Sequence, residues 1–253
     1  MAEAKSLVAN DGAMTLLDHL RELRSRLIKI SLGVIAGLGV GLWIVNGTDF
    51  IAYLIRNFVG EKGVQITDVT EAFTSYIGIA LTIGITLAMP IIIYQIIAFM
   101  TPGLEPKEKR WLYLGLPLVI LFFVGGLAFG WFITAPAAIK FLIGFGISNA
   151  DGLIDARPRL DNFVDILTRL LLINGIIFEM PMVMFVLAKL GVLNPIKLAK
   201  YRRYVVLLVV VIAAIVTPTG DPANLALVAV PMYILFEFGL LLARLAQPKR
   251  TTL

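Results

Sequence analysis

Long apolar runs constrain this chain more than any other feature of its sequence. Leu27–Val45, for example, contains a single charged residue, Lys29, and none of the two-residue alternation that marks the strands of a membrane barrel. In lipid, only helices and closed barrels satisfy every backbone hydrogen bond. The composition agrees: 59% of the residues are hydrophobic and 15% are charged, with a mean hydropathy of +0.91. The sequence therefore predicts an all-α membrane protein.

Polar or proline- and glycine-rich breaks divide the apolar part of the chain into six predicted transmembrane helices. These are Leu27–Val45, Ala72–Ala98, Leu112–Ala135, Asn162–Ala188, Tyr204–Val216 and Leu225–Leu242. The last two are short. The 13 residues of Tyr204–Val216 give roughly 20 Å of helix, whereas the hydrocarbon core is about 30 Å thick. Either the bilayer thins beside them or they do not cross fully. Two further segments, Ile51–Phe58 and Pro136–Ile147, have the mixed polarity of helices that lie along the outer surface.

Positive charge predicts the orientation of these spans. If the N-terminus is cytoplasmic, 16 of the 22 lysines and arginines fall in inner segments, which favours both termini inside. We expect one polytopic domain over residues 1–253, with a cytoplasmic N-terminal segment (1–26) and a cytoplasmic tail (243–253). No cleavage site clearly closes the first apolar run, so we expect that run to stay in the mature protein.

Composition also disfavours several classes of function. The chain has no cysteine and one histidine, His19, so we predict no metal site, no haem pair and no disulfide. A net charge of +5 placed beside apolar runs suits anionic lipid headgroups better than nucleic acid. No glycine loop of the phosphate-binding type is present, and we predict no cofactor.

Glu179, in "INGIIFEMPMVMF", is predicted to lie near the middle of the bilayer. It is ten residues from Lys189, about 15 Å along a helix, and a charge at that depth costs on the order of 3 kcal/mol. Intramembrane acids of this kind usually serve function. The alternative is a structural carboxyl hydrogen-bonded to Asn174 or to a carbonyl near Pro181.

Three other acids have both a structural and a functional interpretation. Asp221 precedes Pro222 as a helix N-cap would, and capping alone could explain it. Glu237 lies nearer the cytoplasmic boundary and is predicted to reach the interface. Glu22, in "HLRELRSRL", is four residues before Arg26, so an ordinary helix ion pair could account for it.

The first inner loop, "FMTPGLEPKEKR", changes the interpretation of Glu22. The predicted topology places Glu22, Glu105 and Glu108 on the cytoplasmic side at similar depth, among basic residues. Clustered carboxylates there suit a cationic ligand that arrives from the cytoplasm. A guanidinium is favoured over an ammonium because a carboxylate can bind it through two hydrogen bonds.

From about His19 to Arg244 the chain resembles the TatC family, the multi-spanning subunits of the twin-arginine (Tat) protein translocase. The motifs that carry the resemblance are "HLRELRSRL", "FMTPGLEPKEKR", "FEMP" and "VPMYILFEFG", in this order. The resemblance implies a cupped fold of six helices, with the outer segments capping its concave side. It also implies a non-enzymatic receptor for the twin-arginine signal peptides of folded precursors, driven by the proton-motive force. Partners would be single-span helices of the TatA and TatB type, in a homo- or hetero-oligomer of the inner membrane.

Matching the motifs residue by residue implies two groups of site residues. The signal-peptide site would comprise Glu22, Arg24, Phe99, Pro102 and Glu108, with Glu105 as a third acid that leaves the assignment of the second carboxylate open. Glu179 and Asp221 would contact partner helices. Two other functions are possible: a proton-coupled transporter of a small solute through Glu179, and a structural subunit of a membrane complex.

Overall fold

In the computed structural model of the protein, residues 16–100, 106–144, 157–217 and 221–246 are described, and these segments are almost entirely helical. The helices of the described segments are, in chain order, α1 (Leu16–Gly47), α2 (Phe50–Phe58), α3 (Glu71–Met100), α4 (Pro106–Phe129), α5 (Ala135–Gly144), α6 (Leu160–Phe178), α7 (Met180–Lys189), α8 (Pro195–Lys200), α9 (Arg202–Val216) and α10 (Pro222–Ala246). A five-residue π-helix, Gly130–Thr134, joins α4 to α5. The predicted all-α fold is confirmed.

Within the described residues, five helical stretches are long and apolar enough to cross a membrane. They are Leu17–Gly47, Glu71–Phe99, Gly115–Gly144, Leu160–Lys189 and Pro222–Ala246. The predicted fifth span corresponds to α9, whose 15 residues extend about 22 Å, less than the thickness of the hydrocarbon core. The count of six spans, the cytoplasmic position of both termini and the cupped shape therefore stay predictions.

The last helix is longer than the sequence predicted. α10 covers 25 residues, about 37 Å, where the apolar run alone indicated Leu225–Leu242. The helix starts earlier because Pro222 and Ala223 fit its first turn, and it continues past Leu242 because Arg244 is compatible with its last turn. Of the two spans predicted to be short, α9 alone is short.

α1 packs almost entirely against α3 through small residues. A Cβ added at Gly37 or Gly41 would collide with the backbone carbonyls of Gly84 and Ala80 on α3. Without a hydrophobic driving force between helices in lipid, such close backbone approach supplies the packing energy. The two helices run antiparallel, so the beginning of α1 lies beside the end of α3. This pairing brings residues about 70 positions apart into one site.

The segments predicted on the outer side are folded against each other. α2 and α5 form as helices where Ile51–Phe58 and Pro136–Ile147 were predicted, with residues 145–147 outside the described chain. Trp131 of the π-helix packs edge-on against Phe58 of α2, with ring centroids 5.0 Å apart. The backbone of Gln65 bridges that of Arg159, which links the segment before α3 to the start of α6. That these segments lie along the membrane surface stays a prediction.

The four prolines within predicted spans have different effects on their helices. Pro90, Pro117 and Pro231 lie inside α3, α4 and α10 without ending them. Pro181 lacks the N–H that would bond to Ile177, and α6 ends at Phe178. The Glu179 N–H bonds to the Ile176 carbonyl, three residues earlier, at 3.1 Å, and the next helix, α7, begins at Met180. Glu179 therefore lies at a break within the fourth span.

Candidate functional site

The beginning of α1 and the end of α3 share a partly buried polar cluster. Arg26 donates from Nε to Glu22 Oε1 at 2.9 Å and also donates from Nη2 to the same oxygen. Its remaining terminal nitrogen, Nη1, donates to Gln95 Oε1 on α3 at 3.2 Å. The predicted ion pair of Glu22 with Arg26 is thus confirmed, and it belongs to a chain of three side chains across two helices.

An aromatic stack lies about one turn away from this cluster on both helices. The rings of His19 and Phe99 stack with centroids 4.4 Å apart and planes inclined by 28°. Glu22 and Phe99, which the sequence assigned to one site, therefore lie at the same end of the α1–α3 pair. The lone histidine, to which the sequence analysis assigned no role, stacks on the Phe99 ring at this end.

Arg24 occupies a different face of α1 from Glu22. It lines a shallow surface hollow with the leucines Leu20, Leu23, Leu27 and Leu32, and with Ile28 and Ser31. The structure does not bring Arg24 next to Glu22. Its role in a signal-peptide site stays a prediction.

The other predicted signal-peptide residues lie at the edge of the described chain or beyond it. Glu108 belongs to the first turn of α4, and its side chain is outside the described part. Pro102 and Glu105 lie outside the described residues. Whether the acids of this loop meet Glu22 therefore stays a prediction.

Glu179 borders a cavity of about 220 Å³ between α3, α4, α6 and α7. The other residues that line this cavity are all apolar, among them Met89, Ile93 and Val183. Both carboxyl oxygens of Glu179 are buried and have no hydrogen-bond partner among the described residues. Asn174, one proposed partner, instead donates to the Leu170 carbonyl at 2.8 Å. Asn174 is therefore not the partner of Glu179. The backbone of Phe123 on α4 still interacts with the carboxyl, so a structural role on a neighbouring helix and a role in partner contact both stay predictions.

Asp221 caps α10 as its sequence position predicted. Its Oδ1 accepts the backbone N–H of Asn224 at 2.8 Å, and its Oδ2 accepts the Asn224 side-chain amide at 2.9 Å. Pro222 occupies the first position of the helix, where its missing N–H costs nothing. The structural interpretation of Asp221 is confirmed, while its contact with partner helices stays a prediction.

Glu237 forms a bidentate ion pair, which the sequence did not predict. Arg202 donates from Nε and Nη2 to the two oxygens of Glu237, each at 2.7 Å, and the Tyr233 hydroxyl adds a third bond at 3.0 Å. The partners are 35 residues apart, so only the packing of α9 against α10 reveals the pair. It fastens the short helix α9 to α10.

Glu71 is a buried acid that sequence reasoning missed. Its Oε2 accepts the backbone N–H groups of Thr67 and Asp68 and the Thr67 hydroxyl, while Oε1 accepts the N–H of Asp161 at 3.0 Å. The carboxylate thus ties the beginning of α3 to that of α6. Beside it, hydrogen bonds from the Thr70 side chain and amide hold the pKa of the Asp68 carboxyl below its usual range. The sequence could have indicated this role, because Glu71 is an acid in the first turn of a predicted transmembrane helix.

No group of three histidine or acidic side chains is arranged to hold a metal ion in the described segments. The fold and these sites define a class: a multi-pass helical membrane protein with a polar cluster at one end of its first two long helices and a solitary acid in an apolar cavity.

Comparison with known proteins identifies the family within this class. The chain belongs to the TatC family: the family model described as "Sec-independent protein translocase protein (TatC)" matches residues 18–231. It is 35% identical to TatC of Aquifex aeolicus over 241 residues, which cover 94% of this chain and 98% of that protein. TatC of Carboxydothermus hydrogenoformans is 32% identical over 241 residues, covering 94% of this chain and 96% of the relative.

A solved structure gives the same result. The crystal structure of the twin-arginine translocase receptor TatC matches with a TM-score of 0.78 and 35% identity, covering 90% of this chain and 99% of that one. The predicted family is confirmed, and the chain is a component of a protein translocase. Neither the solute transporter nor the purely structural subunit gains support from these matches.

Proposed function

We propose that this chain is the receptor subunit of the Tat translocase, which binds the twin-arginine signal peptides of folded precursors at the cytoplasmic face of the inner membrane. The observation that supports the proposal is that Glu22 and Phe99 lie at the same end of the α1–α3 pair, in a chain of the TatC family. Transport would be driven by the proton-motive force, and the chain would have no enzymatic activity.

The chemistry of Glu22 supports this role. The side chains of Glu22 and Arg26 are 17% and 19% exposed, so water competes only partly for their hydrogen bonds. Glu22 Oε1 is occupied by Arg26, whereas Oε2 has no partner among the described residues. Oε2 is buried, and an unpaired buried carboxylate oxygen would be satisfied by a guanidinium that displaces the groups covering it, because a guanidinium offers five N–H donors in a planar fork.

Peptide binding tests the proposal. A fluorescent signal peptide with an Arg-Arg pair should bind the purified protein in nanodiscs more tightly than the same peptide with Lys-Lys. The Glu22→Gln variant should lose about tenfold or more in affinity for the Arg-Arg peptide, since a charge-assisted bond contributes roughly 1.5–3 kcal/mol. Glu61→Gln, which changes an exposed acid at the opposite end, is the matched control. Equal binding of the two peptides would remove the receptor role.

Partner recruitment is the second part of the proposal, and it rests on Glu179. Two buried carboxyl oxygens without hydrogen-bond partners in the described chain, in an apolar cavity, would be satisfied by a polar side chain from another membrane helix. We assign this contact to single-span partners of the TatA and TatB type within a homo- or hetero-oligomer. Cysteine cross-linking from Val183, on the cavity wall, to such a partner should depend on Glu179 and should be lost in Glu179→Leu.

A further inference from the structure

We propose that Gln95 and Arg26 are positioning residues, which orient the Glu22 carboxylate so that Oε2 is the oxygen that receives an arriving guanidinium. The inference rests on the proposed function, because it assumes that Glu22 contacts the signal peptide. Neither Gln95 nor Arg26 is assigned to contact the peptide itself. They act through Glu22.

Arg26 is held by side chains of both α1 and α3. Its guanidinium uses Nη1 for Gln95 and Nε with Nη2 for Glu22, so different edges of one rigid plane serve two helices. Fixing a planar group at two edges removes its freedom to rotate. A lysine, with three donors on one nitrogen, would not set the same geometry.

The partner of Arg26 on α3 is buried. Gln95 is 8% exposed on α3, and its amide oxygen is the group that ties Arg26 to that helix. Burying an amide costs free energy unless the amide is hydrogen-bonded, and the bond to Arg26 offsets that cost for Gln95. Because α1 and α3 touch through glycines, the distance between the helices is fixed. The 3.2 Å bond from Arg26 to Gln95 therefore cannot lengthen or shorten much.

The two oxygens of Glu22 are in different environments. Arg26 donates twice to Oε1, and Oε2 is buried with no partner in the described segments. A buried carboxylate oxygen without a donor is destabilising, and a ligand that brings an N–H donor relieves this cost. Oε1 therefore binds Arg26, and Oε2 is left for the ligand. Gln95 preserves this arrangement because it holds Arg26 in place.

The test is a double-mutant cycle on the full-length protein in nanodiscs, with the fluorescent Arg-Arg signal peptide as the probe. The variants are Gln95→Leu, Glu22→Gln and the double variant, with Ser75→Ala as the control for the loss of a buried polar group from the same helix. Gln95→Leu should weaken binding about three- to tenfold, the order expected when one hydrogen bond to a charged group loses its geometry. In the Glu22→Gln background, Gln95→Leu should have no further effect.

The outcomes separate the inference from the proposed function. If the two losses multiply in the double variant, or if Gln95→Leu binds like wild type, Gln95 does not act through Glu22 and the inference is overturned. If Glu22→Gln itself binds the Arg-Arg peptide normally, the proposed function fails instead. Should Gln95→Leu not fold, Arg26→Lys provides the same cycle, since it keeps the charge and loses the fork. That variant should weaken Arg-Arg binding in the wild-type background and not in Glu22→Gln, and additive losses would again overturn the inference.

Discussion

Replacing Gly37 with alanine should push α1 away from α3 and destabilise the protein. The new Cβ would collide with the Gly84 carbonyl oxygen and lie 3.0 Å from the Gly84 Cα. Two non-bonded carbons rest at about 3.5–4.0 Å, so the helices would have to separate by about 0.5–1 Å. Because α1 has few other contacts, that separation would loosen most of its packing.

The expected cost is about 1–3 kcal/mol, the usual range for overpacking. In a chain of this size each kcal/mol corresponds to about 2–4 °C, so the midpoint of thermal unfolding should fall by on the order of 5 °C. The assay is the unfolding of purified protein in detergent, followed by tryptophan fluorescence. Gly39→Ala is the matched control on the same helix, because a Cβ there meets nothing within 4 Å. An unchanged midpoint for Gly37→Ala, or an equal fall for Gly39→Ala, would refute the close-packing argument.

Three further variants test the acids individually. Glu179→Gln should abolish precursor export but leave the unfolding midpoint unchanged or raised, because the carboxyl oxygens have no hydrogen-bond partner in the described chain; a loss of stability would show that it is structural. Asp221→Ala should lower stability by about 1 kcal/mol while Asp221→Asn preserves the cap, and an equal loss in both would contradict the capping role. Glu71→Gln should speed hydrogen exchange at the amides of Thr67, Asp68 and Asp161, because one amide oxygen cannot accept all the bonds that two carboxylate oxygens accept. The exposed acid Glu61, changed to Gln, serves as its control, and unchanged exchange in Glu71→Gln would show that Glu71 does not tie the beginning of α3 to that of α6.

Features that depend on local sequence were predictable. Hydropathy located the long helices, and spacing along one helix face identified the pair of Glu22 with Arg26. The order Asp-Pro identified the cap of α10. Each of these depends on residues within a few positions of each other.

Features that depend on how helices pair were not predictable. Gln95 carries no charge and lies in an apolar run, so only the register of α1 on α3 reveals that it binds Arg26. Glu71 and Asp161 are 90 residues apart, and Arg202 and Glu237 are 35 apart. The length of α10 was underestimated because a count of apolar residues omits the capped first turn and the charged last turn.

In the proposed function, acids from the beginnings of α1 and α4 receive the paired arginines of a signal peptide. Photo-cross-linking from a probe placed beside the Arg-Arg pair of the peptide tests this most directly, with mapping of the modified residues. We expect adducts near Glu22 on α1 and near Glu108 in the first turn of α4, both reduced when the peptide carries Lys-Lys. Adducts confined to the opposite end of the helices, near Glu61 or Asp221, would contradict it.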